Sequence, residues 1–302
     1  MSTMVMTGGT SGFGAIAAGR LRRSGDTRLL LGARRVQECG GSLPLDLAEL
    51  DSVRAFAGAV RDELAGTPID ALILNAGLVL ADANRRTADG FETTFAVNHL
   101  AHYLLLRLLM PVLAERATVV LTTSGTHDPT ARAGLTPPRH ATAALLAHPD
   151  RDPGLDTRPR KAGEHAYTAS KLCAVLTART LPDQEMVRDK GITAIAYCPG
   201  QVFGTGLARD LPRSMRAAWS IMGSPVLSRP VRRFNRTLNT PPDAGNTLAD
   251  LASGVARPPA GRSYAALRGG QLTWPDPSEA ARSTQAARIL WRDSAELLGL
   301  PA

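Results

Sequence analysis

The sequence predicts a doubly wound α/β fold, in which helices cover both faces of a parallel sheet. Short apolar runs of strand length alternate with longer amphipathic segments, which is typical of repeated β-α-β units. A glycine-rich turn joins the first apolar run to the first helix-length segment. Because no internal repeat interrupts this order, we expect one domain over residues 1–302, with a small C-terminal helical cap.

The apolar runs and the segments between them predict the individual elements. Six strands are predicted, at residues 3–7, 28–33, 42–45, 71–74, 118–123 and 192–198. Four helices are predicted between them, at residues 12–24, 50–64, 91–115 and about 164–179. Only about eight residues (35–42) separate the second and third strands, whereas a parallel crossover usually needs a dozen or more. We therefore expect the usual helix between these two strands to be missing.

Two longer segments are predicted to lie outside the sheet. Residues 125–160 are rich in Pro, Ala, Arg and His, which is too polar and too proline-broken for a core element, so a surface excursion or lid is expected. Residues 204–240 carry Leu, Met, Trp and Phe among arginines. This pattern favours amphipathic helices, and we predict a helical substrate cap there.

Composition and charge narrow the classes of partner. The net charge is +8, but the arginines are scattered and no basic stripe is interleaved with aromatic residues, so no nucleic-acid binding is expected. No apolar run approaches the ~20 residues that cross a bilayer, and the N-terminus does not resemble a signal peptide. A cytoplasmic protein without a membrane span is predicted.

Cysteine and histidine usage argues against a metal site. Cys39, Cys173 and Cys198 are widely spaced and form no CxxC pair, so reduced thiols are expected rather than disulfides or thiolate ligands. Three histidines could serve as metal ligands, namely His99, His102 and His127. Because no matched carboxylate cluster accompanies them, we predict no metal.

The glycine turn and the end of the second strand indicate a dinucleotide. TGGTSGFG (7–14) lies between the first strand and the first helix, where glycines let the backbone approach a pyrophosphate. An NAD-binding unit would carry Asp or Glu at the end of the second strand. Here that position holds Arg34 and Arg35, whose guanidinium groups suit a 2′-phosphate. NADP(H) is therefore the predicted cofactor.

YTASK (167–171) contains one of the three lysines of the chain, four residues after a tyrosine. This spacing places Tyr167 and Lys171 on one face of a helix. A phenol has a pKa near 10 and shuttles protons poorly at neutral pH unless a nearby cation stabilises its anion. The pair predicts an acid–base site, although the spacing alone occurs in many helices.

Six motifs occur in an order that resembles the short-chain dehydrogenase/reductase family: TGGTSGFG (7–14), NAG (75–77), FAVN (95–98), VVLTTS (119–124), YTASK (167–171) and CPG (198–200). The resemblance implies a Rossmann-like fold and a catalytic set of Ser124, Tyr167, Lys171 and Asn98. It implies that Tyr167 donates a proton to a carbonyl oxygen that Ser124 also contacts. Lys171 would bind the nicotinamide ribose and lower the pKa of the phenol, and Asn98 would hold a water that connects Lys171 to solvent.

The same resemblance implies where the cofactor lies. Asp46 and Leu47 would flank the adenine, residues 75–77 would line the adenosine ribose, and residues 199–202 with Thr205 would contact the nicotinamide end. The predicted cofactor-binding residues are Gly8, Thr10, Ser11, Gly12, Phe13, Gly14, Arg34, Arg35, Asp46, Leu47, Asn75, Ala76, Gly77, Asn98, Tyr167, Lys171, Pro199, Gly200, Val202 and Thr205.

Within that family the chain resembles the branch of retinol dehydrogenases and light-dependent protochlorophyllide reductases, in the segments 95–109, 166–177, 198–212 and 287–300. Gln201 stands where the protochlorophyllide enzymes carry a cysteine directly after Pro-Gly. We therefore carry over the reaction type and the cofactor but not the pigment substrate. Family members often form dimers or tetramers through the fourth and fifth helices, so the resemblance also implies a homo-oligomer.

The function predicted from the sequence is hydride transfer between NADP(H) and a carbonyl or alcohol of an apolar small molecule, in secondary metabolism. Two alternatives stay open at this point. One is a biosynthetic enzyme that uses the same residues for non-redox acid–base chemistry, such as a cyclisation, dehydration or epimerisation. The other is a regulator that binds NADP(H) without catalysis, although such a sensor has no need of Ser124, Tyr167 and Lys171.

Overall fold

The computed structural model describes residues 1–35, 41–203, 235 and 237–301, and it confirms the doubly wound α/β fold. The strands are β1 (Ser2–Thr7), β2 (Thr27–Ala33), β3 (Ser42–Pro44), β4 (Ile69–Leu74), β5 (Leu113–Thr122), β6 (Thr193–Cys198), β7 (Tyr264–Arg268) and β8 (Gln271–Thr273). They form one sheet in the order β3-β2-β1-β4-β5-β6-β7-β8. Every neighbouring pair is parallel except β7 and β8.

All six predicted strands are present, but β7 and β8 were not predicted. The β7 sequence YAALR is short and contains good helix formers, namely alanine, leucine and arginine. Its extended conformation depends on pairing with β6, where Ala196 lies opposite Tyr264. Such a pairing between distant segments is not visible in local sequence.

The helices are α1 (Gly12–Arg23), α2 (Leu50–Leu64), α3 (Thr93–Phe95), α4 (Ala101–Leu109), α5 (Ala143–Ala147), α6 (Pro159–Thr180), α7 (Glu185–Asp189), α8 (Pro241–Ala252), α9 (Glu279–Arg282) and α10 (Thr284–Leu297). A π-helical turn (Ala96–Leu100) joins α3 to α4. All four predicted helices are therefore present, and α6 begins earlier than predicted, with Pro159 in its first turn.

The connection between β2 and β3 is as short as the sequence predicts. The two strands are parallel, with Leu31 opposite Ser42. Arg34, Arg35 and Gly41 are not helical, and the intervening residues 36–40 lie outside the described residues. Cys39 is among them, whereas Cys173 and Cys198 are free and buried.

The core lies on both faces of the sheet, because alternate strand residues point in opposite directions. Val5 and Leu72 belong to the cluster under α2, α4, α6 and α10. Met6 and Ile73, one position further along the same strands, belong to the cluster under α1 and α8. This arrangement covers the sheet on both faces and leaves the carboxyl ends of the strands for a cleft.

One helical stretch, Thr93–Val112, is long and apolar enough to cross a membrane, which the sequence analysis did not anticipate. Its mean hydropathy reaches 1.2, and 72% of that window is buried inside the domain. Its apolar side chains pack within the protein, as in the core helix of a soluble domain. The composition of this stretch reflects its central position in the fold.

Part of the predicted surface excursion at 125–160 packs in the core, which corrects that expectation. Ala143, Leu146 and Ala147 of α5 are buried in the main cluster. Glu164 of α6 accepts hydrogen bonds from the backbone N–H (3.0 Å) and hydroxyl (2.8 Å) of Thr136. These contacts hold the excursion against α6, and its role as a lid stays a prediction. The helical cap predicted at 204–240 lies almost entirely outside the described residues.

Candidate active site

A cleft of about 1090 Å³ opens at the carboxyl ends of the strands. The chain contributes both the glycine turn after β1 and the YTASK segment of α6 to its walls. Such a crevice is the usual ligand site of a doubly wound sheet. The structure thus brings the two main sequence motifs together. Most predicted residues line the cleft: Gly8, Thr10, Ser11, Gly12, Phe13, Gly14, Arg34, Asp46, Leu47, Asn75, Ala76, Gly77, Ser124, Tyr167, Lys171, Pro199, Gly200 and Val202.

Three predicted residues stand apart from this set. Arg35 is exposed and does not line the cleft. Asn98 is buried behind the wall rather than in it. Thr205 lies outside the described residues.

The glycine turn leaves space that side chains would fill. Gly8 and Gly12 have positive φ angles of 69° and 56°. A Cβ atom at Gly8 would lie 2.6 Å from the backbone nitrogen of Ala76, and one at Gly14 would collide with the carbonyl oxygen of Gly8. The N-cap residue of α1, Ser11, makes no side-chain cap bond, so the first-turn amides remain for an anion. This cradle fits the pyrophosphate of a dinucleotide.

The floor of the cleft is fixed by a network between β1, β4 and β5. The Thr7 hydroxyl oxygen accepts hydrogen bonds from the backbone N–H groups of Asn75 (3.0 Å) and Ala76 (3.1 Å). The Asn75 side chain donates to the carbonyl of Gly8 (2.9 Å) and accepts from the Thr122 hydroxyl (2.9 Å). These bonds hold the adenosine side of the cleft in one geometry.

His102 supports the same network from below. Its Nδ1 lies 3.3 Å from the Asn98 carbonyl oxygen and its Nε2 lies 2.9 Å from the Thr7 hydroxyl. Because a carbonyl only accepts, Nδ1 carries the proton and Nε2 accepts from Thr7. Burial lowers the pKa of His102 to about 4, so the ring is neutral and serves as a structural contact. This agrees with the predicted polar role.

Asn98 lies in the π-helical turn, a feature that often occurs at functional sites. Its side chain accepts from the N–H of Leu78 (2.9 Å) and donates to the carbonyl of Leu78 (3.0 Å) and to the Ser170 hydroxyl (3.0 Å). A Cβ atom at Gly77 would lie 3.3 Å from both Asn98 Oδ1 and Lys171 Nζ. Asn98 therefore reaches the same point as Lys171, from behind the cleft wall.

Lys171 is buried beside the cleft. Its ammonium group donates to the carbonyl of Thr122 (3.2 Å) and lies 5.7 Å from the ring centroid of Tyr167. Burial lowers the pKa of Lys171 to about 8. The charge therefore remains at neutral pH, at the place where the α6 helix brings it next to the phenol.

The neighbouring side chain of Ser124 lowers the pKa of the Tyr167 phenol. Burial outweighs this influence and raises the pKa of Tyr167 to about 12. The prediction that Lys171 lowers this pKa is therefore not met, because desolvation dominates and the ammonium group points to Thr122. A phenol with a high pKa stays protonated, as an acid that donates its proton must be.

His127 positions Ser124. Its Nδ1 donates to the carbonyl of Ser124 (2.7 Å), and its Nε2 accepts from the backbone N–H of Ser278 (3.4 Å). Its ring packs edge-on against Tyr264 of β7, at 5.1 Å between centroids. The local sequence around His127 does not reveal this role, because the partners Tyr264 and Ser278 come from the C-terminal part of the chain.

Among the cleft residues that were not predicted from the sequence, one is a cation near Ser124. Arg268, the last residue of β7, lines the wall of the cleft. A Cβ atom at Gly125 would lie 3.8 Å from its Nη2 atom, which places the guanidinium next to the backbone that follows Ser124. No signal in the local sequence distinguishes it from the 32 arginines of the chain, because β7 itself is not predicted.

The amino-terminal part of the chain, residues 2–133, matches a family model described as short chain dehydrogenase. Curated relatives span nearly the whole chain. A chloroplastic protochlorophyllide reductase from Cucumis sativus is 29% identical over 322 residues, which cover 99% of this chain and 78% of that protein. Protochlorophyllide reductase from Avena sativa is 28% identical, and the match covers 98% of this chain and 99% of that protein.

A solved structure of an uncharacterized protein from Mycobacterium paratuberculosis has the same fold. It superposes with a TM-score of 0.69 and 24% identity, covering 100% of this chain and 96% of its own. At this identity the likeness concerns the fold. Fold, motif order and relatives all lead to one family.

Proposed function

We propose that this chain, which matches a short chain dehydrogenase model over residues 2–133 and resembles protochlorophyllide reductases over nearly its whole length, is an oxidoreductase that transfers a hydride between NADP(H) and a carbonyl or alcohol of a largely apolar small molecule. The observation that supports the proposal is that Ser124 and Tyr167 line one cleft together with Lys171, whose buried ammonium lies 5.7 Å from the Tyr167 ring centroid. These three side chains line the same cleft as the glycine turn. We propose that the substrate is a secondary metabolite and that the protein acts in the cytoplasm.

The residues of the site have separate roles in carbonyl reduction. Bound nicotinamide supplies the hydride. Tyr167, protonated because burial raises its pKa to about 12, donates its proton to the carbonyl oxygen. Ser124 donates a hydrogen bond to the same oxygen as negative charge develops there. His127 keeps Ser124 in place through the carbonyl of that residue.

Lys171 and Asn98 complete the site behind the reacting groups. The Lys171 ammonium lies beside the Tyr167 ring and would bind the nicotinamide ribose. Asn98 approaches Lys171 beneath Gly77. We propose that Asn98 holds a water there, and that this water restores the proton that Tyr167 gives up. A 2′-phosphate would be held by Arg34 at the other end of the cleft.

The substrate end of the cleft supports an apolar body. Its apolar wall consists of Leu78, Val79, Leu80, Ala131, Ala133, Leu135 and Phe203. Apolar walls of this kind bind ligands through hydrophobic contact, with a few polar groups that fix orientation. Here Ser124 and Tyr167 are the polar groups that would fix the orientation of the substrate.

The test replaces Tyr167 by Phe, which removes only the hydroxyl. We expect turnover of hydrophobic aldehydes and ketones with NADPH to fall by about 10²–10⁴, the range for loss of a positioned acid, while folding and NADPH affinity stay unchanged. Lys171→Met should in addition weaken NADPH binding. Tyr197→Phe is the matched control, because Tyr197 is a buried phenol that donates to the carbonyl of Ala244 (3.0 Å) away from the cleft.

Turnover by Tyr167→Phe that equals the wild-type rate would refute the role given to the phenol. A wild-type protein that binds NADPH but oxidises it with none of the aldehydes or ketones would refute hydride transfer to this substrate class. Both readouts come from one set of spectrophotometric assays with a parallel calorimetric titration.

A further inference from the structure

Arg268 holds a positive charge in the cleft without a carboxylate partner in the part of the chain that the structure describes. Its guanidinium contacts three groups, the carbonyl of Leu267 (3.4 Å), the sulfur of Cys198 (3.9 Å) and the phenol of Tyr264. None of these is a carboxylate. An arginine has five N–H donors and stays charged at any physiological pH, so donors remain for a ligand.

The position of Arg268 is fixed by the backbone around it. Asn239 accepts from the N–H of Gly270 (2.9 Å) and donates to the carbonyls of Leu267 (3.0 Å) and Pro199 (3.0 Å). The β7–β8 hairpin is thereby tied to the Pro-Gly turn at the nicotinamide end. A partly buried arginine on so rigid a support is positioned to recognise a planar anion.

Arg268 lies at the end of the cleft where the reacting groups are. Its Nη2 atom is next to Gly125, which follows Ser124. Cys198, which it contacts, lies at the same place, because a Cβ atom at Gly125 would be 3.7 Å from the Cys198 sulfur. The guanidinium is therefore close to the Ser124–Tyr167 pair.

The pyrophosphate cradle is too far away to supply the anion. Four strand spacings separate β7 from β1 in the sheet, which is about 19 Å at roughly 4.8 Å per spacing. The glycine turn follows β1 and Arg34 follows β2, further still from Arg268. With no carboxylate beside Arg268 among the described residues, an anion for it would come from a group at the substrate end.

We infer that the substrate carries a carboxylate near its reacting carbonyl and that Arg268 binds this carboxylate. The inference rests on the proposed function, because it assigns the substrate class of that same site. It adds an anionic group to the apolar body, so the substrate is an amphiphilic oxo acid. Arg268 is then a specificity-determining residue, whereas Ser124 and Tyr167 act on the carbonyl.

The experiment compares an oxo acid with its neutral ester. Phenylglyoxylate carries an aromatic ring, a ketone and a carboxylate, and methyl phenylglyoxylate lacks only the charge. We expect Arg268→Gln to lower kcat/KM for the acid by about ten- to a hundredfold, the loss for a charge-assisted hydrogen bond, and to leave the ester unchanged. Arg268→Lys keeps the charge but lacks the planar guanidinium. Its kcat/KM for the acid should lie between the values of the wild type and of Arg268→Gln.

The control variant is Arg160→Gln, because Arg160 also lines the cleft but already pairs with Glu164 at 3.0 Å. It should leave the preference for the acid over the ester intact. The melting temperature and NADPH affinity of each variant are measured beside turnover. A loss of NADPH affinity in Arg268→Gln would make Arg268 a cofactor ligand and overturn the inference.

A binding measurement separates this inference from the proposed function. Phenylglyoxylate is titrated calorimetrically into NADP⁺-saturated protein, with the ester as reference. Binding that depends on Arg268, in a protein that reduces neither compound, would leave the carboxylate site standing and overturn hydride transfer to this substrate class. The carboxylate site would be overturned if phenylglyoxylate did not bind to the wild-type protein, or if it bound equally well to Arg268→Gln. It would also be overturned if the wild-type protein reduced the ester but not the acid.

Discussion

At the residue scale, two adjacent arginines have different positions. Arg34 lines the cleft, whereas Arg35 is exposed and does not. Both side chains are exposed, and both residues lie in the bend that follows Ala33, the last residue of β2. A preference for NADPH therefore depends on Arg34.

We predict that Arg34→Ala weakens NADPH binding by about ten- to a hundredfold, because a charge-assisted contact to the 2′-phosphate is lost. NADH affinity should change little, since NADH has no such phosphate. Arg35→Ala is the matched control, with a smaller expected effect. Calorimetric titration of both cofactors provides the measurement, and wild-type protein that binds NADH as tightly as NADPH would contradict the assignment.

At the element scale, the start of α3 depends on a buried carboxyl group. Glu92 is fully buried and accepts from the N–H groups of Thr94 (2.9 Å) and Phe95 (2.7 Å). Burial raises the pKa of Glu92 to about 7, although these two bonds lower it. The helix that carries Asn98 thus begins on a group that changes protonation near neutral pH.

This cap predicts a pH-dependent stability. Between pH 4.5 and about 7 the folded protein keeps the Glu92 proton that the unfolded chain has lost, so the contribution of Glu92 to stability falls as the pH rises through this range. Glu92→Gln should remove that decline, on the order of 3 kcal/mol at about 1.36 kcal/mol per pKa unit. Urea denaturation of both proteins at several pH values measures it. A difference between them that does not vary with pH would disprove the titration.

At the scale of the whole molecule, the C-terminal helix α10 covers the helices through which related proteins would associate. The Tyr103 hydroxyl of α4 donates to the carbonyl of Trp291 (2.9 Å), and His99 lies 2.8 Å from the Ser294 hydroxyl. Arg107 stacks over the Trp291 ring at 5.3 Å. In α6, 18 of 22 residues are buried within the single chain. Within the described residues, α4 and α6 have little surface left for a second copy.

We therefore predict a monomer, in place of the homo-oligomer that the family resemblance implied. Sedimentation equilibrium should give 31.9 kDa across micromolar concentrations. A buried helix presents too little area for a stable interface of roughly 800 Å² per partner. A mass of two or four chains would show that another surface of the protein associates.

The sequence alone determined the fold class, six strands, four helices and the two main motifs of the cleft. These features follow from local patterns: apolar runs of strand length, glycines that need positive φ angles at Gly8 and Gly12, and the spacing of Tyr167 and Lys171. Local patterns predict such features because backbone conformation and helical periodicity depend on neighbouring residues. The motif order then placed Ser124 and Asn75 in the same site.

Only the tertiary structure decided what depends on residues distant in the chain. The strand β7 exists because it pairs with β6, and it alone brings Arg268 to the cleft. His127 acquires its role from Ser278, 151 positions away. The pKa of Tyr167 rises because the surrounding fold removes water from the phenol. Burial and long-range pairing are properties of the packed chain, so spacing along the sequence could not reveal them.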